Sequence, residues 1–275
     1  MDEILQLLPQ PAQSRALQGL YLAQDLRRRS LEQDGDVYIY ANFVTSLDGR
    51  IAIKSDRDEG LSVPDATANQ RDWRLFQELA AQSDLIISSG RYLRDWAKGR
   101  AQEILQVDDP RFADLRAWRA SRGLAPQPDI AIISGSLRFP IPEVLTAGGR
   151  KVVVFTGANS DPQRVQQIEA RAGRVYVAGE ARVEGQRLAE HFAALGYRTV
   201  YSAAGPQILH LLLEAGVLNR LYLTTANRLL GGQVFASVVE GAQFQPPAAV
   251  RLDTLYYDPV GVDELGQLFA AYECV

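Results

Sequence analysis

Residues 38–53 read YIYANFVTSLDGRIAI, and this stretch decides the fold. Its first half is a run of aromatic and β-branched residues, which is typical of a strand inside a sheet. Asp48 and Gly49 then predict a tight turn, because glycine readily adopts a positive φ. After the turn the apolar pattern resumes. The open question is whether this turn only redirects the chain or also brings a carboxylate to a ligand.

The composition is that of an ordinary globular protein. The chain has 275 residues, of which 47% are hydrophobic and 23% charged, with a formal net charge of −4. This length suits one large domain or two small ones. The slight negative charge offers no surface for phosphates, so duplex nucleic acid is not an expected partner.

Other composition features exclude several classes of protein. A single cysteine and two histidines without a metal-binding spacing predict neither a disulfide nor a metal site. The N-terminus lacks the pattern of a signal peptide, and no apolar run reaches the roughly 18 residues of a membrane span. We therefore expect a cytoplasmic protein that does not enter the membrane.

Short apolar runs alternate with amphipathic stretches through most of the chain. The runs are VYIYANFV, DLIIS, DIAIIS, KVVVFT, RVYVA and TVYSA, and the stretches between them include TANQRDWRLFQELAAQ, DPQRVQQIEARAG and GPQILHLLLEAG. This alternation predicts an α/β fold around a mixed, mostly parallel sheet flanked by helices. After Gly216 three runs follow without a helix between them, which predicts antiparallel C-terminal strands. Residues 1–34 are predicted to form an N-terminal helical arm, and residues 35–275 one domain.

Small and hydroxyl residues follow three of the predicted strands. They are Ser88–Gly90, Thr156–Asn159 and Ala203–Gln207, and the last segment leads directly into a helix. In an α/β sheet the ligand usually binds at the carboxyl ends of the strands, and a helix N-terminus there favours an anion. These ends therefore indicate a nucleotide site. The usual Rossmann, P-loop and nucleophile-elbow motifs are absent, so other nucleotide and hydrolase folds are disfavoured.

Three motifs in this order resemble a known family. They are VTSLDGRIA, SDLIISSGRYL and AAGPQILHLLLEAGVLNRLYLTTANRLLGG, and RGLAPQPDIAIISGSLRFP fits between the last two. Residues 36–275 resemble the dihydrofolate-reductase-like pyrimidine reductase family, the reductase domain of riboflavin biosynthesis. The resemblance implies a dihydrofolate-reductase-like fold, reduction of a ribosylamino-pyrimidine phosphate with NADPH, and a homodimer.

The resemblance also implies roles for individual residues. The turn from Ser46 to Gly49 would lie where nicotinamide and substrate meet, and Leu229–Gly232 would line the far wall. The residues assigned to the cofactor are Thr45, Ser88, Ser89, Gly90, Arg91, Thr156, Gly157, Ala158, Ala204, Gly205, Pro206, Gln207, Ile208, Leu230 and Gly231. The residues assigned to the substrate are Asn42, Ser46 and Asp72.

The chain departs from the family pattern at three places. Ala203–Pro206 stands where the family has Glu-Gly-Gly-Pro, Asn42 stands for a lysine, and Ser89–Tyr92 stands for Gly-Ala-Gly-Thr. An alanine in place of the glycine would cost about 1 kcal/mol or more if the backbone there has a positive φ. The missing lysine and glutamate remove two expected substrate contacts.

Reduction of a C=N or C=O bond needs a hydride and a proton. With the glutamate missing, the expected proton donors are Asp48, as the catalytic residue, and Asp72 as a second candidate. Arg91 is expected to bind the 2′-phosphate of NADPH. Two alternatives stay open: a non-catalytic nucleotide-binding homologue, and a reductase of a different carbonyl or pterin substrate.

Overall fold

A large twisted sheet forms the centre of the molecule. The computed structural model describes residues 3–32, 37–54, 60–146, 149–172 and 174–275. The strands of this sheet are β1 (Glu3–Leu8), β2 (Gln13–Ala16), β3 (Tyr38–Ser46), β6 (Leu85–Ser89), β7 (Asp129–Ile133), β8 (Val152–Thr156), β9 (Val175–Val177), β10 (Thr199–Ser202), β11 (Arg220–Ala226), β13 (Val250–Asp258) and β14 (Gln267–Cys274). A smaller sheet contains β4 (Arg50–Lys54), β5 (Leu61–Ser62) and β12 (Phe235–Ser237).

Helices cover both faces of the large sheet. The α-helices are α1 (Leu26–Leu31), α2 (Gln70–Ala81), α3 (Gly90–Ala97), α4 (Ala113–Ser121), α5 (Pro162–Ala172), α6 (Gly185–Ala194) and α7 (Pro206–Glu214). Short 3₁₀ helices lie at Leu22–Gln24, Pro110–Phe112 and Glu143–Leu145. None of the helices in the described part of the chain is long and apolar enough to cross a lipid bilayer.

The strand order of the large sheet is β2-β1-β13-β14-β11-β3-β10-β6-β7-β8-β9. The pairs from β11 to β9 are parallel, and those from β2 to β11 are antiparallel. The predicted fold class, with antiparallel C-terminal strands, is therefore confirmed. Strand β3 is central and almost wholly buried, which explains its nearly continuous apolar sequence.

The two faces of the sheet have separate cores. On one face Tyr40 and Tyr201 stack with ring centroids 5.2 Å apart, and the Tyr40 hydroxyl donates to the carbonyl of Leu79 at 2.7 Å. These contacts fix α2 across β3 and β10. On the other face Phe192 of α6 and Leu212 of α7 are fully buried against the same strands. Each of these helices thus turns its apolar side toward the sheet.

The turn in the opening stretch joins the two sheets. Strand β3 ends at Ser46, the turn follows, and β4 begins at Arg50 in the small sheet, where it pairs antiparallel with β12 and β5. The sequence pattern did not predict this small sheet, because two of its strands are only two or three residues long.

The N-terminal segment is only partly helical, so the prediction of a helical arm is wrong for its first part. Residues Glu3–Leu8 form strand β1, which pairs with β13, and Gln13–Ala16 pair with β1 in turn. The physical reason is long-range pairing, because β1 satisfies its backbone groups on the open edge of β13. Helix α1 does form beyond it. The predicted boundary between residues 34 and 35 lies outside the described residues.

Candidate active site

The segments after β3, β10 and β6 belong to neighbouring strands at the carboxyl edge of the sheet, but these strands end at different levels. Ser202 of β10 pairs with Ala41 of β3 and with Ile87 of β6, so β6 runs two residues and β3 five residues beyond the end of β10. Strand β8 ends at Thr156, and it is separated from β6 by β7. The structure therefore places these three segments on adjacent strands and leaves Thr156–Ala158 two strands away from β6.

Asp48 holds its own turn against the loop that follows β11. Its carboxylate accepts hydrogen bonds from the Ser46 hydroxyl at 2.5 Å and from the backbone N–H groups of Gly231 at 2.8 Å and Leu230 at 3.1 Å. The Arg50 guanidinium contacts the same carboxylate and donates to the Gly232 carbonyl at 3.0 Å. The predicted turn and the predicted far wall are thus joined through one side chain.

These contacts decide the ionisation of Asp48. The Ser46 hydroxyl, the two backbone N–H groups and the Arg50 cation all favour the charged form and hold the pKa of Asp48 well below its usual range. A carboxylate of this kind carries no proton at neutral pH. The geometry therefore gives no support to Asp48 as a proton donor and assigns it to holding the loop.

Asp72 has the opposite environment. It lies in the first turn of α2, is 8% exposed, and burial raises its pKa to about 6, against a smaller opposing effect of a hydrogen bond with the Thr224 hydroxyl. Thr224 faces Val44 of β3 in the register of the sheet, two residues before the end of that strand. Asp72 is therefore a protonatable carboxyl at the ligand edge.

Asn42 lies on the same face of the sheet as Val44, two residues earlier on β3. It faces Tyr222 of β11, and the Tyr201 hydroxyl of β10 donates to its side-chain oxygen. The structure therefore groups Asn42 and Asp72, both predicted from the sequence, with Thr224 and Tyr201, which were missed. The only signal for Thr224 was a polar residue at an inward position of a buried strand.

The turn between β10 and α7 is unstrained and open. In the described part of the chain, four residues other than glycine have a positive φ, and neither Ala203 nor Ala204 is among them. The expected cost of alanine in place of the family's glycine is therefore absent. Ala203 donates its N–H to the Ile87 carbonyl at 3.0 Å, which ties the turn to β6. A Cβ added to Gly205 would meet no heavy atom within 4 Å.

Packing explains why a glycine, Gly90, follows β6. A Cβ on Gly90 would lie 2.8 Å from the Phe139 ring, so this position has to be small whatever binds nearby. Ser88 is buried, and Ser89 precedes α3 without a side-chain cap hydrogen bond. Arg91 has a guanidinium that is 61% exposed and donates to the Leu61 carbonyl at 2.7 Å.

The segment after β8 is used for loop packing. The Ala158 N–H donates to the Gly179 carbonyl at 2.9 Å, and a Cβ on Gly157 would lie 2.9 Å from the Glu180 carbonyl oxygen. The Thr156 hydroxyl hydrogen bonds to that of Ser160 at 2.5 Å. Their assignment to the cofactor stays a prediction, as does that of the remaining cofactor residues. Within the described ranges, no three His, Cys, Asp or Glu side chains are grouped to hold a metal ion.

Comparisons with known proteins identify the family of the chain. Residues 37–262 match the family model described as the RibD C-terminal domain. A 2,5-diamino-6-ribosylamino-4(3H)-pyrimidinone 5′-phosphate reductase from Methanothermobacter thermautotrophicus is 23% identical over 217 residues, covering 78% of this chain and 90% of that protein.

Solved structures share the fold. A pyrimidine reductase-like protein from Corynebacterium diphtheriae superposes with a TM-score of 0.66 at 19% identity, covering 87% of this chain and 92% of that one. The riboflavin biosynthesis reductase of Saccharomyces cerevisiae gives a TM-score of 0.55 at 13% identity, covering 92% and 99%.

Proposed function

The chain belongs to the RibD C-terminal domain family, and we propose that it is an NADPH-dependent reductase of a ribosylamino-pyrimidine phosphate. The family match confirms the predicted family, fold class and oxidoreductase class. The observation that carries the proposed reaction is the buried, protonatable carboxyl of Asp72, which hydrogen bonds to Thr224.

Asp72 is the proposed proton donor. NADPH, when bound, would supply a hydride to the carbon of a C=N or C=O bond, and a proton has to reach the other atom. With a pKa of about 6, roughly a tenth of the Asp72 carboxyls hold a proton at pH 7. After donation, the Thr224 hydroxyl stabilises the carboxylate that remains. Because Asp72 is only 8% exposed, little water can compete for the proton.

The substrate contacts follow from the neighbours of Asp72. The Tyr201 hydroxyl orients the amide of Asn42, and we assign that amide to a polar group of the heterocycle, where the family pattern has a lysine. Ser46 is assigned to the substrate side of the turn. Asp48 fixes the loop at the border of the site, because its carboxylate accepts hydrogen bonds from the N–H groups of Leu230 and Gly231.

The residues of the open turn fit a dinucleotide. The segment Ala204–Ile208 starts α7, and its unstrained backbone and the space beside Gly205 suit a pyrophosphate at a helix N-terminus. Ser89 and Arg91 offer a hydroxyl and an exposed cation for the 2′-phosphate. The homodimer and the cytoplasmic location stay predictions.

The first test is a titration with NADPH and with NADH, followed by energy transfer from tryptophan. We expect saturation by NADPH and weaker binding of NADH. Arg91→Ala should lower NADPH affinity about tenfold and remove the preference, because it deletes a charge-assisted hydrogen bond. Arg94→Ala, on the same helix, is the matched control. Unchanged NADPH affinity in Arg91→Ala would show that the assignment of Arg91 is wrong.

Turnover separates the remaining alternatives. The bound complex is offered a ribosylamino-pyrimidine phosphate, a pterin and simple carbonyl compounds, and NADPH oxidation is followed by absorbance. Oxidation with the first alone supports the proposal. Oxidation with a pterin or carbonyl compound would assign a different substrate, and binding without any oxidation would indicate a non-catalytic homologue.

A further inference from the structure

The start of α2 is tied to the two C-terminal strands by a buried chain of hydrogen bonds. Asn69, the residue before the helix, accepts hydrogen bonds on its side-chain oxygen from the N–H groups of Arg71 at 2.9 Å and Asp72 at 3.0 Å. Its amide nitrogen donates to the side-chain oxygen of Gln267 at 2.7 Å. Asn69 therefore caps the helix and links it to strand β14 with the same side chain.

The chain continues to a buried carboxylate. Gln267 is fully buried and donates from its amide nitrogen to Asp258 at 2.8 Å. Asp258 is also fully buried and accepts a second hydrogen bond from the Nε of Arg71 at 2.7 Å. Asp258 and Gln267 are directly paired across β13 and β14, so the network has a rigid base.

The register of the sheet connects this network to the candidate site. Gln267 faces Ala226 of β11, and Thr224, the partner of the Asp72 carboxyl, lies two residues earlier on that same strand. The backbone of Asp72 is thus fixed to β14 through Asn69, and its carboxyl is fixed to β11 through Thr224. Asp72 is therefore held by two adjacent strands, through its backbone by β14 and through its side chain by β11.

We propose that Asn69, Gln267 and Asp258 are positioning residues that hold the Asp72 carboxyl against Thr224 at the ligand edge of the sheet. This inference rests on the proposed function for the role of Asp72, but the placement of the carboxyl does not depend on it. A buried, fully bonded polar network of this kind favours one arrangement of its members over others. An ordinary helix cap needs only a short side chain, whereas this one also requires the amide donor of Asn69.

Several groups around Asp72 influence its ionisation in addition to the network. Tyr21 of the N-terminal segment and Tyr201 of β10 both feel its charge, and Thr224 hydrogen bonds to it. The Arg71–Asp258 pair lies next to it on the helix and on β13. A substitution at Asn69 replaces none of these groups, so a moved Asp72 titration would report a change in its position.

The test uses Asn69→Ser, which keeps a capping oxygen and removes the donor to Gln267. Asp109→Ser, a cap exchange before the 3₁₀ helix Pro110–Phe112, is the matched control, since the Asp109 carboxylate accepts from the Arg111 N–H at 2.9 Å. Gln267→Met is the second variant, in case Asn69→Ser folds poorly. The readouts are the titration of the Asp72 carboxyl by NMR and the pH profile of kcat.

We expect the Asp72 titration to move toward the ordinary range of an aspartate in Asn69→Ser and Gln267→Met, because the carboxyl gains access to water, and to stay in place in Asp109→Ser. In the same variants kcat should fall about tenfold or more at unchanged cofactor KM, since a small misplacement of a reacting group is costly. An unchanged Asp72 titration in both variants would overturn the proposal. A shifted titration in a protein that never turns over would support the positioning network and refute the proposed function instead.

Discussion

The turn at Asp48 and the first turn of α2 at Asp72 place the same carboxyl group in two different environments. At Asp48 a hydroxyl, two backbone N–H groups and a guanidinium surround the carboxylate, so it stays charged. At Asp72 the carboxyl is buried near two tyrosines and one threonine, and burial raises its pKa to about 6. The comparison teaches that proximity to the edge of the sheet does not assign a role, whereas the number of donors around a carboxyl does.

The largest expected effect comes from Asp72→Asn. This change keeps the shape and the contact with Thr224 but removes the transferable proton. We expect kcat to fall by about 10² to 10⁴, the usual worth of a general acid, with NADPH affinity unchanged. Single-turnover oxidation of NADPH measures it. A kcat within a few-fold of the parent protein would break the contrast between the two aspartates.

The second expected effect is on stability, and it uses the same variant without any substrate. Because the pKa of Asp72 is raised to about 6 in the folded protein, its contribution to stability is full below the ordinary aspartate pKa and is lost as the pH rises through about 6. A shift of about two units corresponds to about 3 kcal/mol. As the pH is raised from 4 to 8, the free energy of unfolding of Asp72→Asn should therefore increase relative to that of the parent protein by up to about 3 kcal/mol. Urea unfolding at several pH values gives this difference, and parallel curves for the two proteins would contradict it.

A smaller effect is expected at the other carboxyl. Asp48→Asn loses the charge that holds Leu230 and Gly231, so amide exchange at these two residues should accelerate. Cofactor affinity should fall by less than about tenfold, because a loosened loop has to be ordered on binding. If kcat instead drops as far as in Asp72→Asn, Asp48 takes part in the chemistry and the comparison has been drawn the wrong way round.

The smallest effect sharpens the comparison further. Ser46→Ala removes the hydrogen bond that contributes most to the low pKa of Asp48, so this pKa should rise toward its ordinary value. The stability that the charged Asp48 contributes is present above its unfolded pKa and is lost as the pH falls through its folded value. The loss should then begin at a higher pH in Ser46→Ala, as an NMR titration of the carboxyl would show. A titration that does not move would mean that the N–H groups of Gly231 and Leu230 and the Arg50 cation set the ionisation without Ser46.

The parallel part of the fold follows from local sequence, and the rest does not. Strands such as β3 and β8 are buried on both faces, so their apolar runs are conspicuous. Strand β1 has one buried side only, and a short apolar run of that kind fits a helix as well as a strand. Its assignment depends on the open edge of β13, which lies some 250 residues away in sequence.

The residues of the candidate site also differ in whether the sequence could predict them. Asp72 and Asn42 could be proposed as single residues from the family resemblance, which places Asn42 where the family has a lysine. Thr224 and Gln267 could not, since their importance comes only from the register of β11 and β14 beside α2. The ionisation of the two aspartates was equally inaccessible, because it depends on burial and on donors distant in the chain.

The short strand β2 at one end of the large sheet has a consequence for how the molecule behaves in concentrated solution. All four of its residues, from Gln13 to Ala16, are exposed, and Arg15 adds a positive charge. A brief, polar, charged edge is a poor template for another chain's strand. Removing residues 3–16 would leave Leu255–Tyr257, the part of β13 that pairs with β1, without a partner strand. Such a shortened protein should self-associate more readily through this edge of its sheet, so β1 and β2 protect the edge from pairing with other chains.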